Sequence, residues 1–512
     1  MAIKPQSLTP VPLKPIVWTI SGADCSGGAG IAADIKTLHS LGCEVCHFIT
    51  ANTVQNSGEL IAVNAVDWQI LDQQFTALKS DKTPAVIKVG LLATSQQVNW
   101  LVNILAQLKA ENDNLRVVFD PVGSASVGGK FHDFTIDALN DLLPLIDVIT
   151  PNLMEAQALA NNSTDHAEQL ANKIIKLGAA AVVVKGGHSK HDVSEDYCLA
   201  NIEDQQLVYQ LASDKINTDY SHGGGCSFAS ALAAFLANGH LLPDALMLTK
   251  AFINQGLKCH QDKTGYYGAF EQLSIATNAS DYPKITGRLM ERYQALSAFK
   301  SLGIARNGKQ RLGLYPVVDS LSWLKRLLPL GLNIIQLRLK NLSVAQLEQQ
   351  IELAVEFCQQ YNTRLFINDH WQLAIKYQAY GIHLGQEDLQ DADLAAINKA
   401  GLRLGISTHG CYEFLLAQQL QPSYLAIGAI FPTVTKDMTG QIQGVPTLAH
   451  TLNLATDIPV VAIGGINLER ADRVWATGVD SLAVVTAITL AERPEQVVAN
   501  FKQLMAHPED NL

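Results

Sequence analysis

From Leu312 onward the sequence repeats one pattern, a short apolar run that fits a buried strand followed by a segment of helical character. The runs fall at residues 313–319, 334–340, 365–369, 381–385, 404–408, 425–431, 460–464 and 481–486. Helical segments such as 344–361 and 411–419 lie between most pairs. Eight strand–helix units within about 200 residues match the arithmetic of a compact (β/α)8 barrel. Parallel neighbours need a crossover, and the helices that supply it form the outer ring. A barrel of this kind places its chemistry at the C-terminal ends of the strands.

Those ends carry a consistent set of side chains: Gln336, Arg338 and Lys340; Asn368 and Asp369; Glu387 and Asp388; Ser407; Thr433, Thr435 and Lys436; Gly464 and Gly465; and Thr486. Arg338 and Lys340 stand two apart on a strand, so both can face the barrel mouth. They suit a diphosphate, and Lys436 adds a third positive charge. Asp369 and Asp388 offer oxygen ligands from neighbouring strand ends, as Mg²⁺ prefers. The Gly464-Gly465 pair and the Thr486 end fall where barrels commonly hold a phosphate. Any one of these could be a solvated strand-end residue, but so many strand ends with phosphate or magnesium chemistry argue against that for the set.

The first half is built differently. An apolar run at residues 16–20 leads into Ser21-Gly22-Ala23-Asp24-Cys25-Ser26-Gly27-Gly28-Ala29-Gly30, and a helix is expected over 31–40. The turn is neither a dinucleotide fingerprint nor a Walker loop, because the glycine spacing differs and no Gly-Lys-Ser/Thr follows. Asp24 lies in the turn and Asp34 on the first turn of the helix, each either a site residue or a capping or solvated Asp. Further strands are expected at residues 46–51, 86–92, 117–122, 148–151 and 181–185, which predicts a mainly parallel sheet covered on both faces. Ligands in such sheets collect beyond the strand C-termini. Thr53 and Gln55, Asp120, Asn152 with Glu155, and Lys185 stand there. Asp120 and Glu155 read as magnesium-side carboxylates, or else as a strand-end Asp and an exposed helix Glu.

A second glycine-rich turn, Ser221-His222-Gly223-Gly224-Gly225-Cys226-Ser227, runs straight into a small apolar helix. Free amides and the positive end of the helix dipole make such a turn a seat for phosphate. Cys226 would sit inside that seat, where a thiol pKa falls and a thiolate can form. The plain alternative is a glycine turn with a small core cysteine.

At 512 residues, 48% hydrophobic and 17% charged, the chain can bury more than one core. A net charge of −11 argues against nucleic acid or an anionic membrane as partner. The first fifteen residues lack an apolar core, so no signal peptide is expected, and no run approaches a membrane span. The eight cysteines are scattered, which suggests free thiols in the cytoplasm.

The first half resembles the hydroxymethylpyrimidine/phosphomethylpyrimidine kinase of thiamine biosynthesis, a ribokinase-like enzyme. The matching stretches are residues 21–30 with Asp34, 50–56, 88–92, Asp120-Pro121-Val122, Thr150-Pro151-Asn152 with Glu155, Lys185-Gly186-Gly187-His188, and 222–227. The resemblance implies that Asp34, Gln55 and the Ala29 backbone hold the pyrimidine, with Thr53 beside them. It implies that Asp120, Asn152 and Glu155, with Lys185, serve ATP and Mg²⁺. It makes residues 223–226 the anion hole, with the Gly223 and Gly225 backbone and with Cys226 where many relatives carry an Asp base. The family's usual His-Gly-Thr-Gly-Cys reads His-Gly-Gly-Gly-Cys here, and its Gly-Ser-Asp-Pro-Ser reads Gly-Ala-Asp-Cys-Ser.

The second half resembles thiamine-phosphate synthase through Gln336-Leu337-Arg338-Leu339-Lys340, Asn368-Asp369, Gly385-Gln386-Glu387-Asp388, Gly405-Ile406-Ser407, Pro432-Thr433-Val434-Thr435-Lys436 and Ile463-Gly464-Gly465-Ile466. The resemblance places Gln336, Arg338, Lys340, Asn368, Ser407 and Lys436 on a pyrimidine diphosphate. It gives magnesium to Asp369 and Asp388, and the thiazole phosphate to Thr433, Thr435, Gly465, Val485 and Thr486. The expected fold is α/β, a ribokinase-like parallel-sheet sandwich followed by a (β/α)8 TIM barrel. Residues 1–275 are read as the kinase, 276–311 as a linker that includes a helix over 283–300, and 312–512 as the barrel. The expected function is conversion of hydroxymethylpyrimidine to its diphosphate by ATP and Mg²⁺, then joining to thiazole phosphate with release of diphosphate. Partners are small molecules, with no nucleic acid and no membrane, and the resemblance suggests a homo-oligomer. Two alternatives stay open for the first half: a kinase of pyridoxine-type alcohols, or a non-catalytic ligand-binding domain.

Overall fold

Strand β1 (Ile16–Asp24) alternates its side chains across a sheet that is covered on both faces. Trp18 and Ile20 enter a core with Phe48, Phe75, Trp100 and Leu101, against the helices Trp68–Lys79 and Ser95–Glu111. Thr19 points the other way, toward the helices Gly30–Ser40 and Gly224–Ala237, and bonds Asp34. This period of two is what a doubly covered strand imposes. The computed structural model describes residues 14–56, 58–123, 134–187, 192–202, 205–304, 306, 310–433 and 442–506.

The parallel centre of the sheet is made by β2 (Glu44–Gln55), β1, β4 (Val86–Val89), β5 (Arg116–Phe119), β6 (Val148–Ile149) and β7 (Ala181–Val184), in that order. Antiparallel strands extend both edges: β3 (Leu60–Ala65) beside β2, then β8 (Val193–Ile202), β9 (Gln205–Asp214) and β10 (Lys284–Thr286) beyond β7. The six parallel strands are those expected from the apolar runs. The edge strands are an addition to that expectation, since β8 and β9 mix charged and amide side chains with apolar ones and pair as a hairpin.

The second unit is a closed barrel of β11 (Gly313–Val318), β12 (Ile334–Leu337), β13 (Arg364–Asn368), β14 (Gly381–Leu384), β15 (Arg403–Thr408), β16 (Tyr424–Ile427), β17 (Val460–Ile463) and β18 (Ser481–Val484). All neighbours are parallel, and β18 closes onto β11. Tyr315, Phe366 and Tyr424 fill the interior, their rings edge to face.

By backbone contacts the chain divides into Met1–Ala276 with Ser280–Leu289, and Thr277–Ala279 with Met290–Leu512. The segment read as a linker is largely built into these units. No helix spans 283–300: Pro283 precedes β10, which pairs with β9, and a four-residue helix, Arg288–Glu291, follows. Strand pairing wins over helical propensity there. Farther on, Leu302 and Ile304 are buried in the barrel core, and Arg364 Nη2 donates to Leu302 O at 3.3 Å. Ser423 Oγ donates to Lys300 O at 2.7 Å, so residues 300–304 run across the N-terminal ends of the barrel strands.

Candidate functional sites

In the first unit the expected residues gather beyond the C-terminal ends of the parallel strands. Gly223 caps the helix Gly224–Ala237 at φ +82, and a Cβ there would lie 1.9 Å from Gly28 O, so only glycine fits. The two glycine-rich turns therefore touch backbone to backbone. The first-turn amides of Gly225 and Cys226 precede any intrahelical acceptor. Beside them, Lys185 Nζ donates to Asp120 Oδ1 at 2.9 Å, and a Cβ on Gly225 would be 3.6 Å from Lys185 Nζ. Asn152 and Glu155 form a reciprocal capping box: Asn152 N donates to Glu155 Oε2 at 2.8 Å and Glu155 N to Asn152 Oδ1 at 2.9 Å. Burial, with the negative charge of Asp120, pushes the Glu155 carboxyl up to about 7 against the pull of Lys185. Asp120, Glu155 and Lys185 thus form one electrostatic cluster at the mouth of the helix.

The turn after β1 is organised by Asp24. It accepts from Ser26 N and Ala29 N, both at 2.9 Å, and from Ser26 Oγ at 2.7 Å, while His222 Nε2 lies 2.8 Å from its Oδ2. Burial opposes the charge, yet the bonds from His222, Gln55 and Ser26 outweigh it and hold the carboxyl well below its usual range. Gln55 and Thr53 belong to this same corner, with Thr53 Oγ1 donating to Ala23 O at 3.0 Å. Of the Ala29 backbone, expected on the pyrimidine, the amide is engaged by Asp24.

Two expectations change. Asp34 is fully enclosed: Lys88 Nζ donates to both of its oxygens at 2.9 Å, Thr19 Oγ1 at 2.6 Å and Ser230 Oγ at 2.8 Å. It ties the two helices to β1 and β4 rather than facing open space. Cys226 is partly open, yet enclosure by protein outweighs the attraction of Lys88 and pushes its thiol up to about 11. The thiol, expected to be lowered at the helix terminus, is raised instead, because desolvation exceeds the pull of Lys88 and of the Gly30 amide.

In the barrel, eleven expected residues line one cavity of about 290 Å³ at the C-terminal ends of the strands: Gln336, Arg338, Lys340, Asn368, Asp369, Asp388, Ser407, Thr433, Gly465, Val485 and Thr486. Thr435 and Lys436 lie outside the described residues. Lys340 Nζ donates to Asp369 Oδ2 at 3.0 Å. Asp388 is raised by burial and by Asp369, to which it is hydrogen-bonded. Two carboxylates in contact repel, and a divalent cation between them would relieve that repulsion. The pair fits magnesium with water and diphosphate as further ligands. Gly465, at φ +62, would place a Cβ 2.5 Å from Pro432 O, so glycine lets the β17 loop approach the segment that follows β16.

Three buried residues were missed from the sequence. His383 Nε2 lies 2.8 Å from Ser407 Oγ and its Nδ1 2.7 Å from Tyr424 OH, which lies 2.8 Å from Tyr315 OH. The signal for His383 was its place in an apolar strand, opposite in parity to Ile382 and Leu384. The tyrosines looked like ordinary strand residues.

The folds define the class, a ribokinase-like kinase unit joined to a TIM-barrel enzyme. Residues 24–270 match the family model for phosphomethylpyrimidine kinase and residues 314–488 that for thiamine monophosphate synthase. The thiamine-phosphate synthase of Yersinia pseudotuberculosis serotype O:1b is 56% identical over 197 residues, spanning 38% of this chain and 92% of that protein. Among solved structures, pyridoxal kinase of Bacillus subtilis is 30% identical over 51% of this chain and 97% of its own, with a TM-score of 0.43. Phosphomethylpyrimidine kinase of Clostridium difficile 630 is 28% identical over 47% of this chain and 99% of its own, with a TM-score of 0.40. The chain belongs to the thiamine-phosphate synthase family through its second half and carries a phosphomethylpyrimidine kinase domain in its first. It is a bifunctional transferase of thiamine phosphate formation.

Proposed function

We propose that the kinase unit phosphorylates 4-amino-5-hydroxymethyl-2-methylpyrimidine and then its monophosphate, using ATP with Mg²⁺. The barrel then joins the resulting diphosphate to 4-methyl-5-(2-phosphoethyl)thiazole and releases diphosphate. Asp120 and Glu155 would hold the metal in the kinase, with Asn152 and Lys185 on the ATP side. The Gly223 and Gly225 backbone and the Cys226 amide face the transferred phosphoryl group, where positioning and charge neutralisation supply most of the catalysis. Cys226, with its thiol pushed up to about 11, steers the substrate hydroxyl as a hydrogen-bonding thiol rather than as a thiolate base. Thr53, Gln55 and the Asp24–His222 turn form the alcohol-side corner.

In the barrel, Asp369 and Asp388 would hold magnesium, which when bound adds positive charge beside the departing diphosphate. Arg338 and Lys340, with Lys436, bind that diphosphate. Asn368, Gln336 and Ser407 hold the pyrimidine, and Thr433, Thr435, Gly465, Val485 and Thr486 the thiazole phosphate. The gathering of eleven expected residues around one cavity carries this reading. No helix of the described residues is long and apolar enough to cross a membrane, and a cytoplasmic setting agrees with free thiols.

The test is a coupled assay on the whole chain with ATP, Mg²⁺, the pyrimidine alcohol and thiazole phosphate, read as thiamine phosphate by mass spectrometry. Product supports both halves. No product unless ready-made pyrimidine diphosphate is added overturns the kinase assignment, and a pyridoxine-type alcohol in the same assay then tests the other substrate class. No product even from the diphosphate overturns the synthase assignment.

A further inference from the structure

A chain of hydrogen bonds crosses the barrel interior and ends at the cavity. Gln336 Nε2 lies 3.3 Å from Tyr315 OH, Tyr315 OH 2.8 Å from Tyr424 OH, Tyr424 OH 2.7 Å from His383 Nδ1, and His383 Nε2 2.8 Å from Ser407 Oγ. Tyr315, Tyr424 and His383 are buried, whereas Ser407 is partly open. Tyr315, Tyr424 and a neutral His383 each have one proton to give, so if every buried proton is to find an acceptor the direction at one end sets the direction at the other.

The direction follows from the amide. Gln336 Nε2 can only donate, so the Tyr315 oxygen accepts, and the buried Tyr315 proton then needs an acceptor, which its other hydrogen-bond partner, the Tyr424 oxygen, supplies. Tyr424 then donates to His383 Nδ1, which must be the unprotonated ring nitrogen. The proton of neutral imidazole therefore sits on Nε2 and is donated to Ser407 Oγ. Burial raises both phenols, so each tyrosine holds the proton the chain requires. Gln386 Nε2 donates to Ser407 O at 2.6 Å and fixes the backbone at the end of the chain. The space for Tyr424 comes from Gly405, where a Cβ would lie 2.1 Å from the Tyr424 Cζ.

We infer that Tyr424 and His383 are positioning residues that turn Ser407 into a hydrogen-bond donor toward the ligand in the cavity. With its oxygen taking the His383 proton, Ser407 presents its own O–H outward. The ligand atom against it must be an acceptor, an unprotonated ring nitrogen or a phosphate oxygen, and a group that can only donate is rejected there. This rests on the synthase reading for the identity of the ligand but not for the direction of the chain.

The first experiment reads the direction without turnover. In the whole chain with ¹⁵N-labelled histidine rings, the His383 resonances, assigned by their loss in His383→Asn, should report the Nε2–H tautomer. The Nδ1–H tautomer would mean that the Gln336 amide faces the other way and would overturn the inference. The second experiment is kinetic, with pyrimidine diphosphate supplied. Tyr424→Phe should lower kcat/KM for the pyrimidine diphosphate about tenfold and leave KM for thiazole phosphate unchanged. Ser407→Ala should do the same, and the double variant should be no worse than Ser407→Ala alone. Losses that multiply would show a merely structural tyrosine. Should Tyr424→Phe fail to fold, the tautomer measured on the parent chain still decides the direction.

An analogue with the ring nitrogen replaced by C–H separates the two acceptors. If Ser407→Ala discriminates against it less than the parent does, the acceptor is the ring nitrogen; equal losses on both substrates identify a phosphate oxygen. No loss on either overturns the donor role. A parent enzyme that makes no thiamine phosphate from pyrimidine diphosphate refutes the synthase reading instead, and the tautomer still decides the direction.

Discussion

His222 Nε2 lies 2.8 Å from Asp24 Oδ2, joining two glycine-rich turns that are 198 residues apart in sequence. Asp24 also accepts the amides of Ser26 and Ala29, so one carboxylate fixes the first turn and braces it against the second. Asp24→Asn weakens several charge-assisted bonds at once, each worth about 1.5–3 kcal/mol. Kinase kcat should fall at least about tenfold, while synthesis from ready-made pyrimidine diphosphate stays at the parent rate. Measuring the two half-reactions separately checks this, and a matching loss in both would refute a local role.

The buried pair of Lys88 and Asp34 makes a prediction about stability. Lys88→Met leaves the Asp34 charge enclosed with only two hydroxyl partners, and such a break costs about 3–5 kcal/mol. The first-unit transition in urea should move to markedly lower concentration. Adding Asp34→Asn should recover part of the loss, because it removes the stranded charge. An unchanged midpoint in the single variant would show that the pair is not holding the helices to the sheet.

Cys226 should behave as a thiol. With its pKa pushed up to about 11 by desolvation, it is protonated throughout the working range. Its alkylation rate should climb steadily between about pH 7 and about pH 10 without a plateau. Cys226→Ala should keep kinase activity within about tenfold of the parent, since the amides, and not the sulfur, meet the phosphoryl oxygens. A plateau below neutrality, or loss of several orders of magnitude, would restore the base role.

Glu155 supplies a pH dependence. Its carboxyl titrates near about 7 in the folded protein against an ordinary 4.5, so between those values the folded state holds more protons than the unfolded one. Stability then falls as pH rises through that window. Without nucleotide or divalent ions, the melting temperature of the first unit should drop from about pH 5 to about pH 7, and Glu155→Gln should flatten the drop. Calorimetry decides it, and a parent profile that rises instead would contradict the raised carboxyl.

Much of this was readable along the chain because its signals are local. The eight apolar runs of the second half all became barrel strands, and the six of the first half the parallel centre of the sheet. Strand-end parity was enough to gather Arg338, Lys340, Asp369 and Asp388 at one mouth. The antiparallel hairpin β8–β9 was not readable, since its strands mix polar and apolar residues without a clean alternation. The expected helix over 283–300 failed because pairing of Lys284–Thr286 with β9 overrode local propensity.

The amino-acid sequence by itself determined the two folds and the chemical character of each site, because period, glycine turns and strand-end residue types are properties of neighbours in the chain. Tertiary structure alone decided the ionisation and direction of the polar groups. Asp34 became a buried tie because Lys88 and Ser230, 54 and 196 residues away, close over it. Enclosure by protein pushes the Cys226 thiol up, and the partners of His383 are Tyr424 and Ser407 on other strands. Desolvation and hydrogen-bond direction depend on what surrounds an atom in space, and no stretch of sequence carries that.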